Sequence, residues 1–305
     1  MKLFTPRKPA EKPEKAADVA ARLEEMSARL DRLEQVITEL RHNTDLLPAI
    51  IRKLYLDDVE LPPPYDLLAG RFGLTSQNEE DGLLLALFKR IGAPHRRFVE
   101  IGCGGNGGNG GFFAKHLGWS GMMIDARGEA IDKVKLRYAG HDVTAVRQRV
   151  SREGVNALLE QFGFTGEIDL LSIDIDGNDY WIWEAITACQ PRVAIVEYNW
   201  ILGAQRAVTI PYTPTFSLRD VDVKGYRGAS LAAMVHLGTK KGYRLVASER
   251  VNAVFLRNDI APEIPAITVA QGYRPPLNLG RSKDLYEKLE RANLPLVDVT
   301  AAATV

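Results

Sequence analysis

Two stretches of this sequence place acidic side chains at spacings that could do chemistry. In Ile173-Asp174-Ile175-Asp176-Gly177-Asn178-Asp179-Tyr180, an apolar run ends in two carboxylates one residue apart. Downstream, the run from Val193 closes on Glu197-Tyr198-Asn199, a further acid and an amide. If both runs are parallel strands, they end at the edge where open α/β sheets bind ligands. Asp174 and Asp176 have the same strand parity and are expected on one side. Carboxylates gathered at one edge repel, so they need a cation, a shared proton or a hydroxyl donor. Asp176 is therefore expected either as a base that takes a proton from a hydroxyl, or, with Glu197, as a ligand of Mg²⁺. Asp174 and Asn199 complete the expected catalytic set. The competing reading has Asp179 capping the next helix and Asp174 bonding backbone amides.

A second constellation lies upstream, in Phe98-Val-Glu-Ile-Gly-Cys-Gly-Gly-Asn-Gly107. Gly102, Gly104 and Gly107 fit a GxGxxG loop between a strand and a helix, where missing side chains let backbone approach a ligand. Asp125 ends the following strand, placed to accept bonds from ribose hydroxyls. Glu100 occupies a position that is usually apolar in nicotinamide-binding loops. A carboxylate there suits a ligand with a cationic amino-acid end, as S-adenosylmethionine has. Aromatic residues gather near the acidic edge, and Tyr198 and Trp200 are expected to face an acceptor's apolar surfaces. Trp181 and Trp183 read as core residues of a helix. The five histidines show no ligand spacing.

The elements that must position these groups alternate. Helical spacing at Leu84, Leu87, Phe88 and Ile91 stops at Gly92-Ala-Pro94. Strands are predicted from Phe98, over Gly121–Asp125, Val143–Gln148, Asp169–Asp174 and Val193–Tyr198. Helices fall between them, including Val155–Phe162 and Tyr180–Ala188, which predicts a parallel sheet covered on both faces. The runs Tyr243–Ser248 and Val251–Leu256 are too close for a parallel crossover, so they should form an antiparallel hairpin. The long connection Ile201–Gly228 has the character of a lid or selectivity insert.

Upstream, Val19, Leu23, Met26, Leu30, Leu33, Ile37, Leu40, Thr44 and Leu47 form a heptad stripe. Its narrowness predicts a coiled-coil helix that joins chains into a homo-oligomer; packing on its own chain is the alternative. The expected organisation is a solvated leader over 1–15, the oligomerisation helix over 16–60, a catalytic domain over 61–260 and an extension over 261–305.

The segments TSQNEEDG (Thr75 to Gly82), VEIGCGGNG, GWSGMMIDA, LLSIDIDGNDYWIWEAI, VAIVEYNW, GASLAAMVHLGTKKGYRLV and VNAVFLRND together resemble FkbM-type class I methyltransferases. The resemblance runs from Leu74 to Ile260. It implies a Rossmann-like sheet with an antiparallel final strand, S-adenosylmethionine as donor, and O-methylation of a sugar, glycan or natural product. It also implies a role for Gln77 at the cofactor or acceptor, whereas Glu80 and Asp81 favour a helix start. The extra residues Asn106 to Gly111 depart from the family loop. The alternatives are a nicotinamide-dependent oxidoreductase, disfavoured by Glu100 and the terminal hairpin, and an inactive methyltransferase-like scaffold.

Lys plus Arg equals Asp plus Glu at 39 each, so the chain lacks the basic surplus of a nucleic-acid binder. With two cysteines, no apolar h-region at the N-terminus and no run long enough to span a bilayer, a cytoplasmic location is expected.

Overall fold

The structure is a computed structural model that describes residues 61–273, 285, 287–289 and 291–301, together with Glu24, Met26, Ser27, Arg29 and Leu30. Contacts divide the chain into two units, Met1–Leu47 and Pro48–Val305. In the first, the five described residues are helical, and Met26 and Leu30 are exposed. The rest of the heptad stripe lies outside the described residues.

The second unit holds a seven-stranded sheet. In chain order come α1 (Tyr65–Leu68), α2 (Glu80–Ile91), β1 (Arg97–Ile101), α3 (Gly111–Leu117), β2 (Ser120–Asp125), α4 (Gly128–Arg137) and β3 (Val143–Arg147). Then follow α5 (Val155–Gln161), β4 (Gly166–Ile173), α6 (Asp179–Ala185), β5 (Cys189–Glu197), β6 (Val208–Thr209), α7 (Leu231–Lys240), β7 (Tyr243–Glu249) and β8 (Asn252–Arg257). A last turn, α8 (Val269–Gly272), and β9 (Val297–Asp298) close the described chain. The sheet order is β3-β2-β1-β4-β5-β8-β7. Every pairing is parallel except those of β8, which runs against both β5 and β7. This is the Rossmann-like sheet with an antiparallel final strand.

Strand alternation builds the two layers. Val99, Ile101, Met122, Ile124, Leu171 and Ile173 face one way, against α5, α6 and α7. Phe98, Met123, Leu170, Val193 and Ile195 face the other, against α2, α3 and α4. Because both faces are covered, β1, β4 and β5 are apolar nearly throughout. Two polar exceptions on the second face, Glu100 and Ser172, are register partners across β1 and β4.

Helix α4 was not legible as apolar periodicity, because only Ala130, Ile131 and Val134 of its ten residues are buried. The insert after β5 is tied to the chain's end: β6 pairs with β9, and Val299 donates its N–H to the Ala207 carbonyl at 3.0 Å. Among the described residues, no helix is long and apolar enough to cross a membrane.

Candidate active site

The C-terminal ends of β1, β2, β4 and β5 open onto a cavity of about 340 Å³, within the size range of small-ligand sites. Glu100, Gly102, Gly104, Asn106 and Gly108 line one side; Asp174, Asp176, Glu197 and Arg227 line another. Gln77, Glu80, Arg127, Val251 and Asn252 close it. A larger cavity of about 570 Å³ lies between the insert and the C-terminal extension, and none of these acids lines it.

The glycine loop is fixed by its own backbone. Gly102 and Cys103 donate to the Ile124 carbonyl at 2.8 and 3.0 Å, drawing the loop over the end of β2. Gly102 has φ +93°, and a Cβ there would lie 1.7 Å from the Asp174 carbonyl oxygen. Only glycine can bring these two loops so close. Gly107 has its open face against the Tyr138 ring and does not line the cavity.

Glu100 is fully buried beneath the loop. Its Oε2 accepts from the Gly110 amide at 2.8 Å and its Oε1 from Ser172 Oγ at 2.8 Å. Asn109 donates to the same Ser172 hydroxyl at 3.1 Å. Burial pushes the Glu100 carboxyl up to about 8 against those hydrogen bonds. Glu100 therefore pins the loop, and its edge reaches the cavity.

Asp125 ends β2 as expected, but its carboxylate is already engaged. Gly104 donates to Oδ2 at 3.1 Å, and Arg127 reaches both oxygens from its backbone and guanidinium at 2.8 to 3.0 Å. Burial alone would raise this carboxyl, yet the Arg127 bonds hold it below the usual range. Arg127, not Asp125, meets the cavity.

Gln77 reaches the cavity because a turn carries it there. Asp81 accepts the amides of Leu74, Thr75 and Ser76 at 2.7, 2.6 and 3.2 Å, and burial raises its carboxyl to about 6. The Thr75 carbonyl then accepts from Asn106 of the glycine loop at 2.9 Å. Glu80 accepts from Asn252 at 2.7 Å. Asp81 and Glu80 thus organise the cavity wall, well beyond favouring a helix start.

At the acidic rim, Asp174 and Asp176 both arrive, though not by strand parity. Strand β4 ends at Ile173, and Asp176 sits in a left-handed turn with φ +58°. A non-glycine residue there is uncommon, and aspartate tolerates it better than most. Asp179 accepts the amides of Ile175 and Gly177 at 2.8 Å each, which holds that turn. Burial, with Asp179 and Asp176 nearby, lifts Asp174 to about 7. Burial, with Asp174 and Asp179, also holds Glu197 well above the usual carboxylate range.

Three sequence expectations are corrected here. Tyr198 is 1% exposed in the core and cannot stack on an acceptor. Trp200 opens a short 3₁₀ turn, packs against the core and does not line the cavity. Asn199 is buried outside the cavity wall, its Nδ2 donating to the Gly225 and Arg227 carbonyls at 2.8 Å each. The reason is shared: the chain folds inward after Glu197 and returns as the insert, so these side chains face the protein.

That insert delivers Arg227, which the sequence reading missed. Its guanidinium contacts Asp176 through Nη1 and Glu197 through Nη2, the latter at 3.0 Å. Burial alone would lower its basicity, but Glu197, Asp176, Asp174 and Asp179 hold it above the usual value. The available signal was an arginine bracketed by Gly225 and Gly228. Asn252 was also missed; antiparallel β8 sets it opposite Glu197.

Asp174, Asp176 and Glu197 offer three carboxylate oxygens within 4.8 Å of one another, a donor set suited to a hard cation such as Mg²⁺. With Arg227 against two of them, the arrangement does not fit a divalent ion unless the guanidinium leaves.

No family model and no curated protein matches this chain. Among solved structures, it is similar to the methyltransferase domain of bacterial CtHen1-C, with 13% identity over 58% of this chain and 97% of that one, at a TM-score of 0.37. It is similar to an S-adenosylmethionine-dependent methyltransferase from Clostridium acetobutylicum, with 11% identity over 70% and 98% of the two chains and a TM-score of 0.37. An O-methyltransferase from Bacillus cereus in complex with SAH shares 19% identity over 51% of this chain and 74% of its own, at a TM-score of 0.30. These neighbours are methyltransferases; the fold of this chain rests on its strand order, and no function is transferred.

Proposed function

We propose that this chain is an S-adenosylmethionine-dependent methyltransferase that O-methylates a hydroxyl of a sugar, glycan or natural product. One observation carries the reading: a glycine loop after β1 and an acidic rim after β4 and β5 face each other across one cavity. S-adenosylmethionine supplies a sulfonium methyl, whose C–S electron pair stays on sulfur as the acceptor oxygen forms the new O–C bond. Gly102, Gly104, Asn106 and Gly108 of the loop and the Gln77 turn hold the donor side, with Asp125 the expected ribose partner once Arg127 yields an oxygen. Glu100 keeps the loop in place, and Asp174 stands between the two sides. Asp176, whose side chain is 49% exposed, receives the hydroxyl proton as general base. Most of the rate enhancement comes from holding oxygen and methyl in line. No step requires Mg²⁺, and turnover is expected to survive EDTA.

Calorimetry with S-adenosylhomocysteine and with NAD tests the donor. Binding of the first alone supports the reading, and tight binding of NAD alone sinks it. The heptad stripe of residues 19–47 is proposed to join chains. Leu30→Lys with Ile37→Lys would bury charges in its seam, so light scattering should report a smaller assembly; an unchanged mass refutes the stripe as the contact.

A further inference from the structure

We propose that Arg227 is the built-in counter-cation of the acidic rim, standing where the carboxylates would otherwise gather a divalent ion. This role does not rest on the methyltransferase reading above.

The backbone that carries Arg227 is tied on both sides. Asn199 bonds the Gly225 and Arg227 carbonyls, the Gly228 carbonyl accepts from Ile210 at 3.0 Å, and the Ala229 carbonyl accepts from the Asn199 amide at 2.7 Å. This explains why a buried asparagine follows the strand that supplies Glu197: it fixes the loop supplying the opposite charge. Guanidinium geometry suits the task, since Nη1 and Nη2 engage two different carboxylates at once. An ammonium is a point charge without that planar fork.

The crowding of carboxyls favours such a group. Asp174, Asp176 and Glu197 converge within 4.8 Å, and Asp179 lies behind them. Asp179 is compensated by the Ile175 and Gly177 amides. The other arginine lining this cavity, Arg127, is bonded to Asp125. Among the described residues, Arg227 is thus the cation in direct contact with the rim, pairing with the half-exposed Asp176 and the buried Glu197.

The test uses Mn²⁺ as probe on the full chain, read by electron paramagnetic resonance. Wild type should bind Mn²⁺ no tighter than about 1 mM, the weak end of carboxylate sites. Arg227→Gln should bind one Mn²⁺ at least about tenfold tighter, because a repelling charge is gone and two carboxylates are freed. Adding Asp176→Asn to that variant should reverse the gain. Arg227→Lys, which keeps the charge, should stay near wild type, a rescue that a merely structural arginine would not show. Wild type binding one Mn²⁺ tighter than about 1 mM, lost in Asp176→Asn, overturns the proposal whether or not the Arg227 variants fold. So does a folded R227Q that binds Mn²⁺ no better than wild type. S-adenosylhomocysteine calorimetry on wild type reports separately on the methyltransferase reading and cannot alter the Mn²⁺ result.

Discussion

The two sides of the cavity solve the same problem differently. On the glycine-loop side, Glu100 is met by Ser172 and a backbone amide and Asp81 by three amides, while Asp125 takes the Arg127 guanidinium two residues on in the chain. On the rim, Asp174, Asp176 and Glu197 crowd together and Arg227 answers them. Glu100 is pushed up chiefly by burial, whereas Asp174 is pushed up by burial and then by the charges of Asp179 and Asp176. The first side is a scaffold locked by short hydrogen bonds. The second gathers carboxyls that burial and mutual repulsion shift away from their ordinary range, the pattern of a candidate reacting edge. Substitutions on the two sides should therefore separate donor binding and stability from turnover.

The largest effect should come from the rim. Asp176→Asn should lower turnover at saturating acceptor by roughly 100- to 10,000-fold, the usual contribution of a general base. Its S-adenosylhomocysteine affinity should stay within about twofold of wild type, since the loop side is untouched. Retained turnover would remove Asp176 from the mechanism and dissolve the division of labour.

Gly102→Ala attacks the seam between the two sides. With φ +93° and a Cβ position 1.7 Å from the Asp174 carbonyl oxygen, either strain or loop separation must follow. Urea unfolding should show a loss of about 2–4 kcal/mol. A neutral outcome would mean that the loop relaxes freely and does not lock the scaffold.

Asp125→Ala should weaken S-adenosylhomocysteine binding by about ten- to a hundredfold, the value of a charged hydrogen-bond acceptor. Arg127→Ala should change it by less than about tenfold, because Arg127 is expected to yield an oxygen to the ligand. Calorimetry that reverses this order would make Arg127 the ligand contact.

Asn199→Ala removes both bonds to the Gly225 and Arg227 carbonyls. The expected cost is about 1–3 kcal/mol in urea, with turnover falling more than donor affinity. Equal loss in donor affinity would place Asn199 with the scaffold side.

A pH-dependent effect is expected at Glu100. Its carboxyl stands near 8 in the folded chain against an ordinary 4.5, so the folded state favours the protonated form. Its contribution is complete below about 4.5 and is lost as pH rises through about 8. Glu100→Gln does not titrate, so its melting temperature should gain on wild type across that window and level off above it. A constant difference from pH 5 to 9 would show that the hydrogen bonds keep Glu100 ionised throughout.

Much of this architecture was legible in the residues themselves. Short continuous apolar runs, punctuated by Gly92-Ala-Pro94 and the glycine loop, placed β1, β2, β4 and β5 within a few residues. The short step from Ser248 to Val251 demanded the antiparallel pair that distinguishes the sheet. Gly102, Glu100, Asp174, Asp176 and Glu197 were readable as lining one cavity because strand ends and tight turns are local properties set by backbone sterics, whereas Asp125 ends β2 as read but turns its carboxylate to Arg127. What lay beyond Glu197 was not. Strand parity stops when the strand stops, so it could not tell that Tyr198 and Trp200 turn into the core. Nor could it reveal that Asn199 bonds a loop 26 to 28 residues away. The tertiary structure alone brought Arg227 to Asp176 and Glu197, because charge compensation depends on distance in space and leaves no period in the sequence.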